Sequence, residues 1–450
     1  ELDKFIFFTK VDNLRCSQTI KKLKIIFLVY LIYNFYKLRM LWSEKNNMSK
    51  KELYPTQFLN DLQGKNINFL IGSGASAGLI RTLDIPALGE SFEDFYSSKK
   101  LNFEQQKVLD FIWFQLWIKD TLVNHDTAIE LYKEKDGISQ PKWNVLRNYY
   151  HFIDNLVEFL NLEGYDKPKR ANIFTTNYDS IFELIFDLIS LNKRLVYFND
   201  GSRGFFNRYI STENFNLNIS HSAVTDSFQR NIPTINLLKI HGSITWDKSE
   251  DKIKVSMDPE MLKDISLVAN ELYDKVKRYD LISNVFFKSA TDEDIDDNAK
   301  EKLLKELSSF YAANNDKIEE FILKYSQLQV VNPTKEKFKE TVFQQNYYQM
   351  LRMLSFELEK KNSVLIVFGF SFADEHIKEI VKRSLINPYL KMYVICYDEA
   401  SKEKIEEMFQ DIQTNSIEYL PYSFKEDNQG EVCHGDFKYL NYLLGEDNNE

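Results

Sequence analysis

The chain has 450 residues, 44% of them hydrophobic and 28% charged, with a net charge of −10. That apolar content excludes a wholly disordered chain, and the length suits one large or two ordinary domains. The acidic balance argues against direct nucleic-acid binding or an anionic membrane surface, since both need a basic face.

The three cysteines, Cys16, Cys396 and Cys433, lie far apart. They cannot build a four-cysteine zinc site in one chain, and they point to the reducing cytoplasm rather than a disulfide framework. No His-x-x-x-His pair occurs, so no metal is expected.

The first residue is Glu1, and Ile25 to Tyr36 is an uncharged, mostly apolar run flanked by Lys21, Lys22, Lys24 and Lys37. Its length falls short of the roughly 18–20 residues that span a bilayer, and no small-residue cleavage site follows. Residues 1–49 are read as a leader, a non-native or mis-assigned start, with the real one at Met40 or Met48. A membrane-associated segment and an ordinary structured extension are the alternatives.

Next comes a buried strand, Ile67–Ile71, running into Gly72-Ser73-Gly74-Ala75-Ser76. Two glycines spaced by one permit a tight turn whose N–H groups meet a pyrophosphate; the plain alternative is a strand-to-helix turn. Residues 95–165 are helical in pattern and rich in aromatics. The strand Asn172–Thr175 leads to Thr176-Asn177-Tyr178-Asp179, then to a helix with Ile181, Leu184, Ile185 and Leu188 on one face. Ligands of open α/β sheets sit at strand carboxyl ends, which favours Asn177 and Asp179; the alternative is that Asp179 or Ser180 only caps the helix. Ser180 with Glu183 has the spacing of a capping box.

A weaker strand, Leu195–Phe198, precedes Ile235–Ile240, which ends in His241-Gly242. A histidine there is placed for base chemistry near neutral pH, or is a satisfied core residue. Residues 257–326 read as charged helices broken by Asp292, Glu293, Asp294, Asp296 and Asp297, a solvated loop rather than a calcium loop. Leu328–Val331 is a second weak strand. Val364–Phe368 enters Gly369-Phe370-Ser371-Phe372-Ala373-Asp374-Glu375-His376, where Ser371 and Asp374 bond ligand hydroxyls or cap the next helix. The last strand expected is Tyr393–Cys396, and 431–450 reads as a tail. Strand-then-helix units of this kind predict an α/β fold, a doubly wound Rossmann-like parallel sheet with helical insertions at 95–165 and 257–326 inside a 50–430 domain.

In this order the four blocks resemble the sirtuin superfamily, and most closely its bacterial sirtuin-like branch in antiphage defence. There Ile-Phe-Thr-Thr-Asn-Tyr-Asp, Lys-Leu-His-Gly-Ser-x-x-Trp and Gly-Tyr/Phe-Ser-Phe-x-Asp-x-His-Ile recur almost as written here. Tyr197 to Gly201, with Gly204, joins the resemblance, which covers roughly residues 60–250 and 328–400. It implies an NAD⁺ site: Gly72, Gly74, Ala75 and Ser76 at the pyrophosphate, with Ser73, Thr176 and Asp374 beside them. It puts Asn177 and Asp179 by the nicotinamide and its ribose, Asn177 orienting a water, His241 as general base or on the ribose hydroxyls, and Gly369 and Ser371 on the adenosine side. The chain departs from deacetylating sirtuins in lacking their zinc module, replaced by Trp246–Asp258 and the helices of 257–326. It also has Asp84-Ile85-Pro86-Ala87-Leu88-Gly89 where they carry Gly-Ile-Pro-Asp-Phe-Arg.

The activity implied is NAD⁺ glycohydrolysis, depleting NAD⁺ in abortive infection, with NAD⁺ as substrate and no zinc. A protein deacylase and a catalytically silent NAD⁺ or ADP-ribose-binding assembly subunit are the alternatives. Implied partners are further copies of the chain in a homo-oligomer, a HerA-type ATPase, or a phage-derived activator. The chain has no Walker A sequence, so such an ATPase is a separate chain.

Overall fold

Seven parallel strands form the central sheet of the computed structural model. It describes residues 55–97, 101–135, 137, 139–164, 169–191, 195–222, 229–249, 252–288, 297–330, 345–412, 416–424 and 433–445. The leader 1–49 and the acidic run Asp292 to Asp296 lie outside them. The strands are β1 (Asn66–Ile71), β2 (Arg170–Thr175), β3 (Tyr197–Asn199), β4 (Thr234–Lys239), β5 (Ser363–Phe368), β6 (Leu390–Ile395) and β7 (Ile417–Leu420). Their spatial order is β7-β6-β5-β1-β2-β4-β3. From β1 the chain passes to β2, crosses to the edge as β3 and returns as β4 between them, whereas from β5 it winds outward through β6 to β7, so the order reverses between β1 and β5. This is the doubly wound α/β sheet that the strand-helix alternation predicts.

Each apolar strand feeds two cores, because successive side chains face opposite ways. Ile67, Phe69 and Ile71 pack with helices α1 (Gln140–Leu162) and α2 (Ile181–Ser190). Leu70, Phe174, Leu365 and Val367 pack on the other face with α3 (Gln345–Glu359) and α4 (Glu375–Ser384). Burial on both faces explains why these strands read as continuous apolar runs.

The buried exceptions are asparagines, and they pair with one another. Asn199, Asn236, Asn172 and Asn68 stand side by side on β3, β4, β2 and β1. Each donates its amide to the next, at 2.9, 2.8 and 2.9 Å. Asn68 passes the chain to Ser363 Oγ at 3.0 Å on β5, and Ser363 donates to the Glu357 carbonyl at the end of α3. A polar ladder thus crosses five strands inside an apolar sheet.

Four expectations are corrected. Leu328–Val330 is not in the central sheet; it pairs antiparallel with Gly242–Ser249 in a second, five-stranded sheet. Ser180 precedes α2 without capping it: its hydroxyl donates to the Val123 carbonyl at 2.7 Å, and Glu183 pairs with Lys239. The 95–165 and 257–326 stretches do not divide as two modules. Helix Phe103–Trp113 shares one core with Glu260–Val276 and Asp297–Tyr325, whereas α1 packs on the sheet. Finally, 431–450 is not merely a tail, because helix α5 (Phe437–Leu444) buries Phe437, Leu440 and Leu443 in the main core. Among the described residues no helix is long and apolar enough to cross a membrane.

Candidate active site

The loops after β1 and β5 meet where the strand order reverses, and their glycines make the meeting possible. A Cβ on Gly72 would lie 2.5 Å from the Gly369 carbonyl oxygen, and one on Gly74 would lie 2.9 Å from Gly369 Cα. Gly369 itself is left-handed, with φ +61°. The amides of this turn are largely committed to the fold. Gly72 donates to Phe368 at 3.1 Å, Gly74 to Gly369 at 2.9 Å, and Ala75 to Gly72 at 3.1 Å. Ser73–Ser76 closes as a single 3₁₀ turn. These glycines thus permit close packing of the two loops, and the N–H groups of Gly72, Gly74 and Ala75 bond within them.

Ser76 reaches inward instead. Its hydroxyl donates to Asp179 Oδ2 at 2.9 Å, so Tyr149 OH, at 2.8 Å, and Asn177 Nδ2, at 3.2 Å, both donate to it. The other carboxylate oxygen of Asp179 accepts the Ile181 N–H at 3.2 Å. Burial pushes the Asp179 carboxyl up from its ordinary value, against the pull of Lys239. Burial and then Asp179 push the Tyr149 phenol well above its own. With Nδ2 fixed on Ser76, Asn177 presents Oδ1 to the interior, where it is buried and has no hydrogen-bond partner among the described residues.

Lys239 locks this loop from behind. It is 2% exposed, donates to the Asp179 carbonyl and to Ser243 Oγ at 3.0 Å, and pairs with Glu183 at 2.8 Å. One buried ammonium thereby ties the end of β4, the loop after β2 and the first turn of α2. Burial raises the Glu183 carboxyl while Lys239 lowers it.

His241 follows β4 and is 3% exposed. Gly242 after it has φ +88°, and a Cβ there would meet the Gln329 carbonyl at 2.1 Å, so the turn that presents His241 requires glycine. Asp374 precedes α4 without capping it. Its Oδ2 lies 3.7 Å from His241 Nε2.

All four sequence blocks line one cavity of about 120 Å³. Ser73 and Ser76 come from the first, Thr176, Asn177 and Asp179 from the second, His241 from the third, and Gly369, Ser371 and Asp374 from the fourth. Ser371 is exposed at the rim. Trp113 and Trp117 also line it, and among the described residues Arg81 is the only arginine or lysine of the lining. Arg81 lies over Trp117 at 4.9 Å and donates to the Phe286 carbonyl at 2.8 Å. Glu93, Ala373 and Asp374 also line a wider cleft of about 1690 Å³, so the cavity and cleft adjoin there.

Sequence reasoning missed Tyr149, Lys239 and Arg81. Lys239 alone left a signal, a single charge inside the apolar run Leu237 to Ile240. Tyr149 and Arg81 sit in stretches where only the fold tells one aromatic or cation from its neighbours. No family model matches this sequence, and no curated protein matches it.

Proposed function

We propose that the chain is a sirtuin-like NAD⁺ glycohydrolase, which cleaves the nicotinamide–ribose bond with water to give nicotinamide, ADP-ribose and a proton. The observation that carries this reading is that four blocks, far apart in sequence, line one cavity at the switch point of a doubly wound sheet. The cavity alone is smaller than the about 300–1,000 Å³ of ordinary ligand pockets. It suits one end of a dinucleotide, with the remainder extending past Asp374 into the adjoining cleft.

Bond breaking develops positive charge on the ribose, and a positioned water completes the reaction. Asn177 Oδ1 is the acceptor that holds this water, its amide kept in place by Ser76. His241 takes the proton released on attack. Asp179 acts through Ser76 and as a buried acidic group rather than by gripping the ribose, since both of its oxygens are engaged. Arg81 and Ser73 supply charge and a hydroxyl for the pyrophosphate, in place of the committed glycine amides. NAD⁺ depletion in antiphage defence, with a homo-oligomer, a HerA-type ATPase or a phage-derived activator controlling it, belongs to the same proposal.

The test is nicotinamide release from NAD⁺ by the purified chain, without peptide, with and without candidate activators. Release together with ADP-ribose is the expected result. Release only with an acylated peptide would make the chain a deacylase, and binding without turnover would make it a sensor; either outcome overturns the proposal.

A further inference from the structure

At the junction of the cavity and the cleft, the fold gathers three side chains that spacing alone keeps apart. One ring nitrogen of His241, one of His376 and a carboxylate oxygen of Asp374 all lie within 4.8 Å of one another. His241 arrives on the turn after β4, and Asp374 and His376 at the start of α4. His241 lines the inner cavity, His376 the outer cleft, and Asp374 both. We propose that these three residues bind one divalent transition-metal ion of the zinc class.

The donor set decides the class. Two imidazoles and a carboxylate, with no thiolate, suit zinc, cobalt or nickel; magnesium and calcium favour oxygen ligands throughout. The spacing is close to that required. Ligands about 2.0–2.2 Å from a tetrahedral ion stand roughly 3.3 Å from one another. The His241–Asp374 separation of 3.7 Å is too long for a hydrogen bond and near this span. The ligand atoms lie no more than 4.8 Å apart, so drawing the third one in takes at most about 1.5 Å of movement at His376, which is half-buried and lines the cleft. Three protein ligands leave a fourth position for water or a ligand atom, the pattern of open rather than structural zinc sites. Sequence reading finds no such set because His241 stands far from Asp374 and His376 along the chain. The site rests on side-chain geometry alone and not on the reaction proposed above; a His241 nitrogen that holds the ion cannot also take a proton, so the ion-bound and the base forms of His241 are alternative states.

The experiment uses the full chain, stripped with a chelator and titrated with Co²⁺ by its visible ligand-field absorption and with Zn²⁺ by calorimetry, with no nucleotide present. One ion per chain is expected. Loss of an outer-shell partner of a metal ligand costs about 10–100-fold in affinity, so loss of a ligand itself costs at least tenfold. His376→Gln and Asp374→Asn, each shown to be folded by circular dichroism, should both bind at least tenfold more weakly. Sub-stoichiometric binding in the parent chain, or undiminished affinity in both folded variants, overturns the site. Nicotinamide release does not enter this readout, so failure of the NAD⁺ reading leaves it intact.

Discussion

Ser76 carries a single hydroxyl proton, and the Asp179 carboxylate takes it. Tyr149 and Asn177 must then both donate to Ser76, which fixes the Asn177 carboxamide and leaves its Oδ1 buried without a hydrogen-bond partner among the described residues. In the reaction proposed above, a group held this way would act on the transition state more than on substrate binding. Asn177→Ala should therefore lower turnover about 10²–10³-fold, and His241→Ala about 10²–10⁴-fold, with the dissociation constant for NAD⁺ little changed. Steady-state kinetics beside equilibrium binding separates the two effects. Folded variants that cleave at the parent rate would remove both residues from the mechanism. Gly74 belongs to a different kind of test. Its added Cβ would meet Gly369 backbone at 2.9 Å, and backbone cannot swing aside as a side-chain tip can. Gly74→Ala should thus lower the melting temperature and weaken NAD⁺ binding together. A variant as stable as the parent that binds more weakly would show instead that the space beside Gly74 belongs to ligand.

The five strands that carry the site are held in register by the asparagine ladder as well as by their apolar faces. A one-residue slip would move each asparagine onto the opposite core and break every amide contact at once. Asn172 stands in the middle, donating to Asn68 and accepting from Asn236. Asn172→Leu would leave Asn68 Oδ1 and one Asn236 amide proton buried without their partner. Each unsatisfied group costs about 1–3 kcal/mol, so the loss in urea denaturation should be about 2–6 kcal/mol. A change below about 1 kcal/mol would mean that the ladder is incidental to stability. This element also marks how far sequence reading reaches. The apolar runs that became β1, β2, β4, β5 and β6 were legible because both their faces are buried. β7 was not, since Ile417-Glu418-Tyr419-Leu420 is an edge strand with only Leu420 fully buried. The asparagine ladder left no signal in the sequence, because its members are partners of one another and adjacency across a parallel sheet is invisible in the chain. The four blocks that line the cavity were legible for the opposite reason: each follows a strand directly, so strand ends and cavity coincide.

At the scale of the whole molecule, the cavity depends on chain segments that lie far outside the sheet. Trp113 and Trp117, which wall it, belong to the core that joins Phe103–Trp113 to Glu260–Val276 and Asp297–Tyr325. The other side depends on α5, near the end of the sequence. Phe437 is 5% exposed, and its ring lies 4.8 Å from Tyr149, 4.7 Å from Phe368 and 5.9 Å from Phe152. It therefore supports from below both the phenol that donates to Ser76 and the end of β5. Phe437→Ala should destabilise the chain by about 3–5 kcal/mol, since neighbours on a sheet and a long helix cannot collapse into the space. Phe437→Leu, which keeps most of the volume, should recover the larger part of that loss. A chain ending at residue 430 removes Leu440 and Leu443 as well and should not fold. Urea denaturation of the two point variants, and circular dichroism of the shortened chain, test this reading. A shortened chain that stays soluble and melts with the parent would return 431–450 to the status of a tail. It would also mean that Phe182 and Ser76 hold Tyr149 in place without Phe437.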